Sequence, residues 1–295
     1  MLFLRWTGVT SAGFNAFGRS ASSFTSNSRP TAISAMKSRR RQKGEFAVGM
    51  EYSTGSGQPI HLFVAGLGNA TLPDTRHSIG QYIINSLSSD LDIRLNHVRG
   101  GQLGSKLVSL PSASHPVMIT LFKSKQLMNV SGPSIVSNYR TACASTGGIG
   151  SKSVTGPGKN LVVLSDSISH VAHKLSARFG GSAQGHNGMK SINECLGGKG
   201  DRSFWQFRVG VGRGSPNEIQ KDADAVEWVM GPISEREKKF WGVGGGGVKQ
   251  IINELDKVVK KMEQDATARE KEFEAKAAAR ANVLAQGRKP SLQDG

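Results

Sequence analysis

"IHLFVAGLGNATLPDTRHSIGQYIINSL", residues 60–87, decides the fold. It opens with an apolar run closed by glycine, which predicts a strand buried on both faces. Ile79, Tyr82, Ile83 and Leu87 then recur at helical spacing. Strand, Gly-rich turn and helix in so short a span form the opening unit of an α/β domain. The turn also holds residues that a connector does not need: Asn69, then Arg76 and His77 directly before the helix. Imidazole is the side chain suited to proton transfer near neutral pH.

Working outward, "LVVLSD" (161–166) predicts a second buried strand, ending at Asp166, and "FWQFRVGVG" (204–212) a third. Short strands with Gly and Pro turns are expected over 92–122, and "VAHKLSARF" offers another. "GPSIVSNYR" (132–140), "ISEREKKFW" and "VKQIINELDKVVKKM" suit helices, the last two split by "GVGGGG", a Gly-rich insertion at 242–248. "GGSAQGHNGMKSINECL" (180–196) is a Gly-rich turn into a helix that opens at Asn187. The alternation predicts one α/β domain over 59–262. Residues 263–295, rich in Ala, Glu, Lys and Arg, predict a charged helical or disordered tail with a thin apolar face.

The chain has 295 residues and a formal net charge of +16. Residues 1–58 carry 8 basic and 2 acidic side chains, 59–262 carry 24 and 14, and 263–295 carry 6 and 6. The middle is therefore basic in its own right, which favours a polyanionic ligand. The first acidic residue is Glu45, behind a stretch rich in Arg and Ser. That composition is expected of an organelle transit peptide, here mitochondrial, with a disordered basic tail on a cytoplasmic protein as the alternative. Cys143 and Cys195 give no metal-ligand spacing and no disulfide framework. No apolar run approaches the roughly 18 residues of a membrane helix. "TGGIGSKSVTGPGK" (146–159) lacks the Gly-Lys-Ser/Thr core of a phosphate loop and is expected to be a surface insertion.

Four polar spots fall at predicted strand ends or helix starts: Asn69 with His77, Asn129, Asp166 and Asn187. Sites in open α/β sheets form at such places. A carboxylate closing an apolar strand needs a partner to offset its desolvation. Paired with His77, Asp166 would hold the imidazole tautomer. No Gly-x-Ser-x-Gly motif is present, so a His–Asp pair here points to activated water rather than a serine nucleophile. The asparagines would supply fixed donors and acceptors.

Taken in order, "GLGN…TRHSIG", "LMNVSG", "LVVLSD", "GSAQGHNGMKSI" and "FRVGVGRG" resemble the bacterial-type peptidyl-tRNA hydrolase family over roughly residues 62–214, with "VEWVMGPISE" similar to its closing segment. The resemblance implies a mixed twisted β-sheet flanked by helices and a eukaryotic organellar member. It implies hydrolysis of the ester between a peptide and the 3′ ribose of tRNA, with no metal and no cofactor, by a monomer that does not insert into membranes. His77 would be the general base, Asp166 its orienting partner, and Asn69 would help select blocked over free aminoacyl groups. Asn129 and Asn187 would hold substrate and water, with Leu72, Leu127, Met128 and His186 also at the substrate site. The sequence departs from the family pattern at "AT" after Asn69, where Pro-Gly is usual, and at Leu72 and Leu127, where aromatics are usual. Leucine stacks on bases poorly. Two rivals follow: a non-catalytic, splicing-factor-like RNA-binding protein on the same fold, and an esterase for another aminoacyl ester.

Overall fold

The apolar run that opens the decisive segment is β1 (His61–Gly66), buried at every position. The computed structural model describes residues 59–146, 159–197, 204–213 and 222–286. The basic segment 1–58 and nearly all of the Gly/Ser stretch 146–159 lie outside the described residues. After β1 come α1 (Ile79–Asp90), β2 (Asn96–Val98), β3 (Gly101–Val108), β4 (Val117–Ser124) and α2 (Gly132–Thr146). Then follow β5 (Leu161–Ser167), β6 (Leu175–Phe179), α3 (Asn187–Leu196), β7 (Trp205–Gly210), α4 (Asp222–Met230), α5 (Glu235–Trp241) and α6 (Gly246–Gln286).

The described strands form one mixed sheet in the order β2-β3-β4-β1-β5-β7-β6. β1 runs parallel to β4 on one side and to β5 on the other, and β7 continues the parallel set beyond β5. β2, β3 and β6 are the antiparallel additions at the two edges. The strand order reverses about β1, so a crevice opens beyond the carboxyl ends of β1, β4 and β5.

Side chains alternate across the strands and build two cores. Leu62, Val64, Val162, Leu164, Phe207 and Val209 face α1, α5 and α6, meeting Ile79, Ile83, Trp241, Val248 and Leu255. Phe63, Ala65, Leu161 and Val163 face α2 and α3, meeting Ile135, Tyr139, Met189 and Ile192. α1 lies hard against the sheet. A Cβ on Gly66 would overlap the Gly80 carbonyl, and one on Gly80 would overlap the backbone of Leu164. These two glycines let the start of α1 settle directly over the ends of β1 and β5.

The structure refines the sequence expectation in three parts of the chain. The strand expected over 171–179 is shortened to β6, a half-buried edge, because the chain before it turns through His173 at φ 68°. The "GVGGGG" stretch is a tight corner: Gly244, at φ 69°, donates its N–H to both Asp90 carboxylate oxygens at 2.9 and 3.0 Å, and a Cβ on Gly247 would overlap the Trp241 ring. Helix α6 crosses residue 262 without a break and runs to Gln286, a length of about 60 Å. Just beyond that point, Glu263 accepts from the Ser114 N–H at 2.9 Å.

The segment before α1 is tied to the far end of the chain. Arg76 Nε donates to Glu237 Oε1 at 3.1 Å, and its guanidinium lies 4.0 Å from the Trp228 ring centroid. Glu237 also completes the capping box of α5 with Ser234. The Arg76 and Glu237 side chains are 12% and 4% exposed. Removing one partner of a buried pair strands the other charge. Arg76→Ala is therefore expected to lower stability by about 3–5 kcal/mol, read as a lower denaturant midpoint. An unchanged midpoint would show that the pair does not hold α4 and α5 to the site.

Candidate active site

Asp166 sits in the last turn of register of β5, 7% exposed, and its Oδ1 accepts two hydrogen bonds. One comes from His77 Nδ1 at 2.9 Å and the other from His186 Nε2 at 3.0 Å. His77 lies in a single 3-10 turn, Arg76–Ser78, that leads into α1. His186 is the residue before α3. Two helix starts thus converge on one strand end, and the imidazole rings stand 5.1 Å apart.

The turn that carries His77 is held by Ser78, which is fully buried. Its Oγ accepts from the Asn69 N–H at 2.9 Å and donates to the Leu72 carbonyl at 2.7 Å. Asn69 Oδ1 accepts from the Met128 N–H at 2.8 Å, binding the loop after β1 to the turn after β4. Its amide NH₂ remains as a donor.

The electrostatics fix the proton positions. Burial opposes ionisation of Asp166, but the charge and hydrogen bond of His186 and the bond and charge of His77 outweigh it, holding the carboxyl at about 2. An ionised carboxylate only accepts, so Nδ1 of His77 carries the proton and Nε2 is left as the basic nitrogen. Burial alone would lower the His77 pKa. The Asp166 hydrogen bond and charge overcome that and raise it above the ordinary value.

A cavity of about 340 Å³ opens beside this cluster. His77, Asp166, His186 and Asn187 line it on one side. Val226, Val229 and Met230 of α4 form an apolar wall, and Gln184, Gln206 and Arg208 add a polar one. Arg208 is buried and bonds to the Gln184 and Gln206 side chains and the Ser182 carbonyl. It has no carboxylate partner among the described residues. Burial, and then the charge of Arg178, lower its pKa.

The expected site residues divide between cavity and rim. Asn69, Leu72, Leu127, Met128 and Asn129 stand outside the lining of this cavity, joined to it through the Asn69–Met128 bond and the Ser78 turn. Leu72, Leu127 and Asn129 are exposed. Met128 is buried against the start of α3, where its sulfur occupies the space a Cβ on Gly188 would need. Asn187 is exposed at the first turn of α3, its Oδ1 3.4 Å from Lys190 Nζ. Sequence reasoning placed His186 with the substrate and missed its bond to Asp166. It also missed Arg208 and the α4 wall. The only sequence signal for them was that "FRVGVG" puts an arginine inside an apolar strand.

His77, Asp166 and His186 offer three donor atoms all within 4.8 Å of one another, a spacing compatible with a metal ion. Metal-binding imidazoles are normally oriented by a bond from their other nitrogen. His186 Nδ1 is buried and has no such partner among the described residues. The cluster therefore fits proton transfer better than metal ligation.

Fold and site together define an α/β protein with a carboxylate-oriented imidazole in a crevice at a topological switch point. The chain belongs to the peptidyl-tRNA hydrolase family, whose profile, described as Peptidyl-tRNA hydrolase, matches residues 63–279. It is 28% identical over 178 residues to the probable peptidyl-tRNA hydrolase of Mus musculus, covering 60% of this chain and 76% of that protein. It is 32% identical over 178 residues to the peptidyl-tRNA hydrolase of Bacillus pumilus, covering 59% and 80%. The crystal structure of peptidyl-tRNA hydrolase from Acinetobacter baumannii superposes with a TM-score of 0.53 at 20% identity, over 72% of this chain and 96% of that one.

Asp166→Asn removes the charge that raises the His77 pKa and weakens the hydrogen bond, now to a neutral acceptor, while burial, which lowers it, remains. A base works when neutral, so wild-type activity falls as pH drops through the raised pKa. In the variant the acid limb of kcat/KM is expected to move to lower pH, with kcat down about 10²–10⁴-fold. An acid limb at the wild-type pH would dissociate Asp166 from the base.

Proposed function

We infer that this chain hydrolyses the ester between a peptide, or an N-blocked amino acid, and the 3′ ribose of tRNA. The observation that carries the mechanism is the 2.9 Å bond from His77 Nδ1 to Asp166 at the mouth of the cavity. It leaves His77 Nε2 as an oriented base. Water attacks the ester carbonyl while Nε2 accepts its proton. The tetrahedral intermediate collapses, the ribose oxygen leaves, and the imidazolium returns a proton to it. The products are a free carboxylate and the tRNA 3′-hydroxyl. Asn129 and Asn187 are assigned to holding the substrate and the attacking water, and the Asn69 NH₂ to separating blocked from free aminoacyl groups, since fixed donors at developing negative charge lower the barrier. The apolar α4 wall suits a peptide, and the cation of Arg208 suits a phosphate.

Residues 1–58, with 8 basic and 2 acidic side chains, support mitochondrial import. A reporter carrying this segment should enter mitochondria. The working unit is proposed to be a monomer, as the resemblance to the family implies. A non-catalytic RNA binder would leave the assembled base without a use.

The test is release of N-blocked amino acid from blocked aminoacyl-tRNA by the full chain, with unblocked aminoacyl-tRNA beside it. His77→Ala is expected to lose at least about 10²-fold in turnover while keeping near-wild-type tRNA affinity. Wild-type turnover in that variant would mean that the base lies elsewhere.

A further inference from the structure

The β6 edge of the sheet ends in an aromatic pair. Phe179, the last residue of β6, pairs across the strands with Trp205, the first residue of β7. Their ring centroids lie 5.2 Å apart with the planes at 59°. Trp205 packs partly against the core, but Phe179 remains 39% exposed. Helix α6 passes beside them, and a small cleft of about 70 Å³ lies between. Lys159, Lys261 and Arg269 bring three cations to this cleft, against one carboxylate, Asp265.

Open aromatic surface ringed by cations fits nucleic acid better than an apolar protein surface. A base stacks on the ring face and the cations neutralise its phosphates, without selection of sequence. The placement also fits one ligand that reaches both places. In the β5–β7 register Trp205 stands opposite Val162, and Val209 opposite Asp166. The cleft is therefore four strand residues from the catalytic carboxylate, about 13 Å. The edge between carries Lys174 and Arg178, both exposed. A tRNA spans that distance; a single aminoacylated nucleotide does not.

We propose that the cleft of Phe179, Trp205, Lys159, Lys261 and Arg269 is a second RNA-binding site, which grips the body of the tRNA substrate away from the ester. This rests on the hydrolase reading above, and it adds a contact that affects affinity and leaves chemistry untouched. Leu72 and Leu127 at the rim stack poorly, so binding that depends on a remote aromatic site is consistent with what the rim lacks.

The experiment uses the full-length chain, Phe179→Ser, and the double variant Lys261→Glu with Arg269→Glu, all at exposed positions. Each is given two substrates: an intact N-blocked aminoacyl-tRNA and, as a fragment, the same blocked amino acid esterified to a lone 3′-terminal adenosine. For the intact tRNA, KM is expected to rise about 5–10-fold with kcat unchanged. For the fragment, both constants should match wild type. The double variant should also flatten the dependence of log Kd for uncharged tRNA on log salt by about two. Wild-type KM for tRNA and an unchanged salt slope would overturn the proposal. So would equal losses on tRNA and fragment, which would place the effect in the active site or the fold. If wild type cleaves neither substrate, the hydrolase reading falls, and the affinity for uncharged tRNA alone then decides the cleft.

Discussion

A carboxylate at the end of a buried strand is costly unless it is met by donors, and Asp166 is met by two on the same oxygen. Much of the molecule can be understood as the means of delivering them. One donor requires the start of α1 to lie over β5, which the Gly66–Gly80 contact allows. The other requires the start of α3 to reach the same point from the opposite face of the sheet. The two cores, one under α1 and one under α3, hold these helix starts in place from both sides. The polar cluster thus sits where the two hydrophobic layers meet, and it is oriented by packing that never touches it.

The cavity next to this cluster is divided by chemistry. α4 contributes Val226, Val229 and Met230, while β7 contributes Gln206 and Arg208. An acyl chain and a phosphodiester have opposite preferences for such walls. A substrate that carries both, joined by an ester, would be drawn across the imidazole by its two ends. The link from Arg76 to Trp228 and Glu237 makes the apolar wall and the loop bearing the base parts of one structural unit.

The elements legible in the sequence were those with an unbroken local signal. β1 and β5 are continuous apolar runs buried on both faces, and α1 has its apolar residues at helical spacing. The His77–Asp166 pairing could be anticipated because both residues stood at predicted strand–helix junctions. What escaped was set by tertiary contact. β6 is short because His173 turns the chain, and nothing in "VAHKLSARF" marks that. The glycines of 242–248 form a corner fitted to the adjoining Trp241 ring and to the Asp90 carboxylate, and the latter is distant in sequence. Of the two states expected for the charged segment after Met262, helix forms through Gln286, because good helix formers extend a helix already nucleated by packing. His186 gave no local sign of its second role, because its partner lies 20 residues away on another element.

On the proposed mechanism, the shared oxygen of Asp166 also determines how charge moves during a turnover. At rest the Asp166 carboxylate holds a negative charge in a buried position. When His77 takes the proton from water, the imidazolium offsets that charge, and negative charge appears on the substrate oxygen. The buried group is therefore relieved of charge at the moment the substrate acquires it. Each cycle displaces one unit of charge from the protein's interior to the ligand and back, so the second imidazole, by stabilising the resting anion, also sets how readily that displacement occurs.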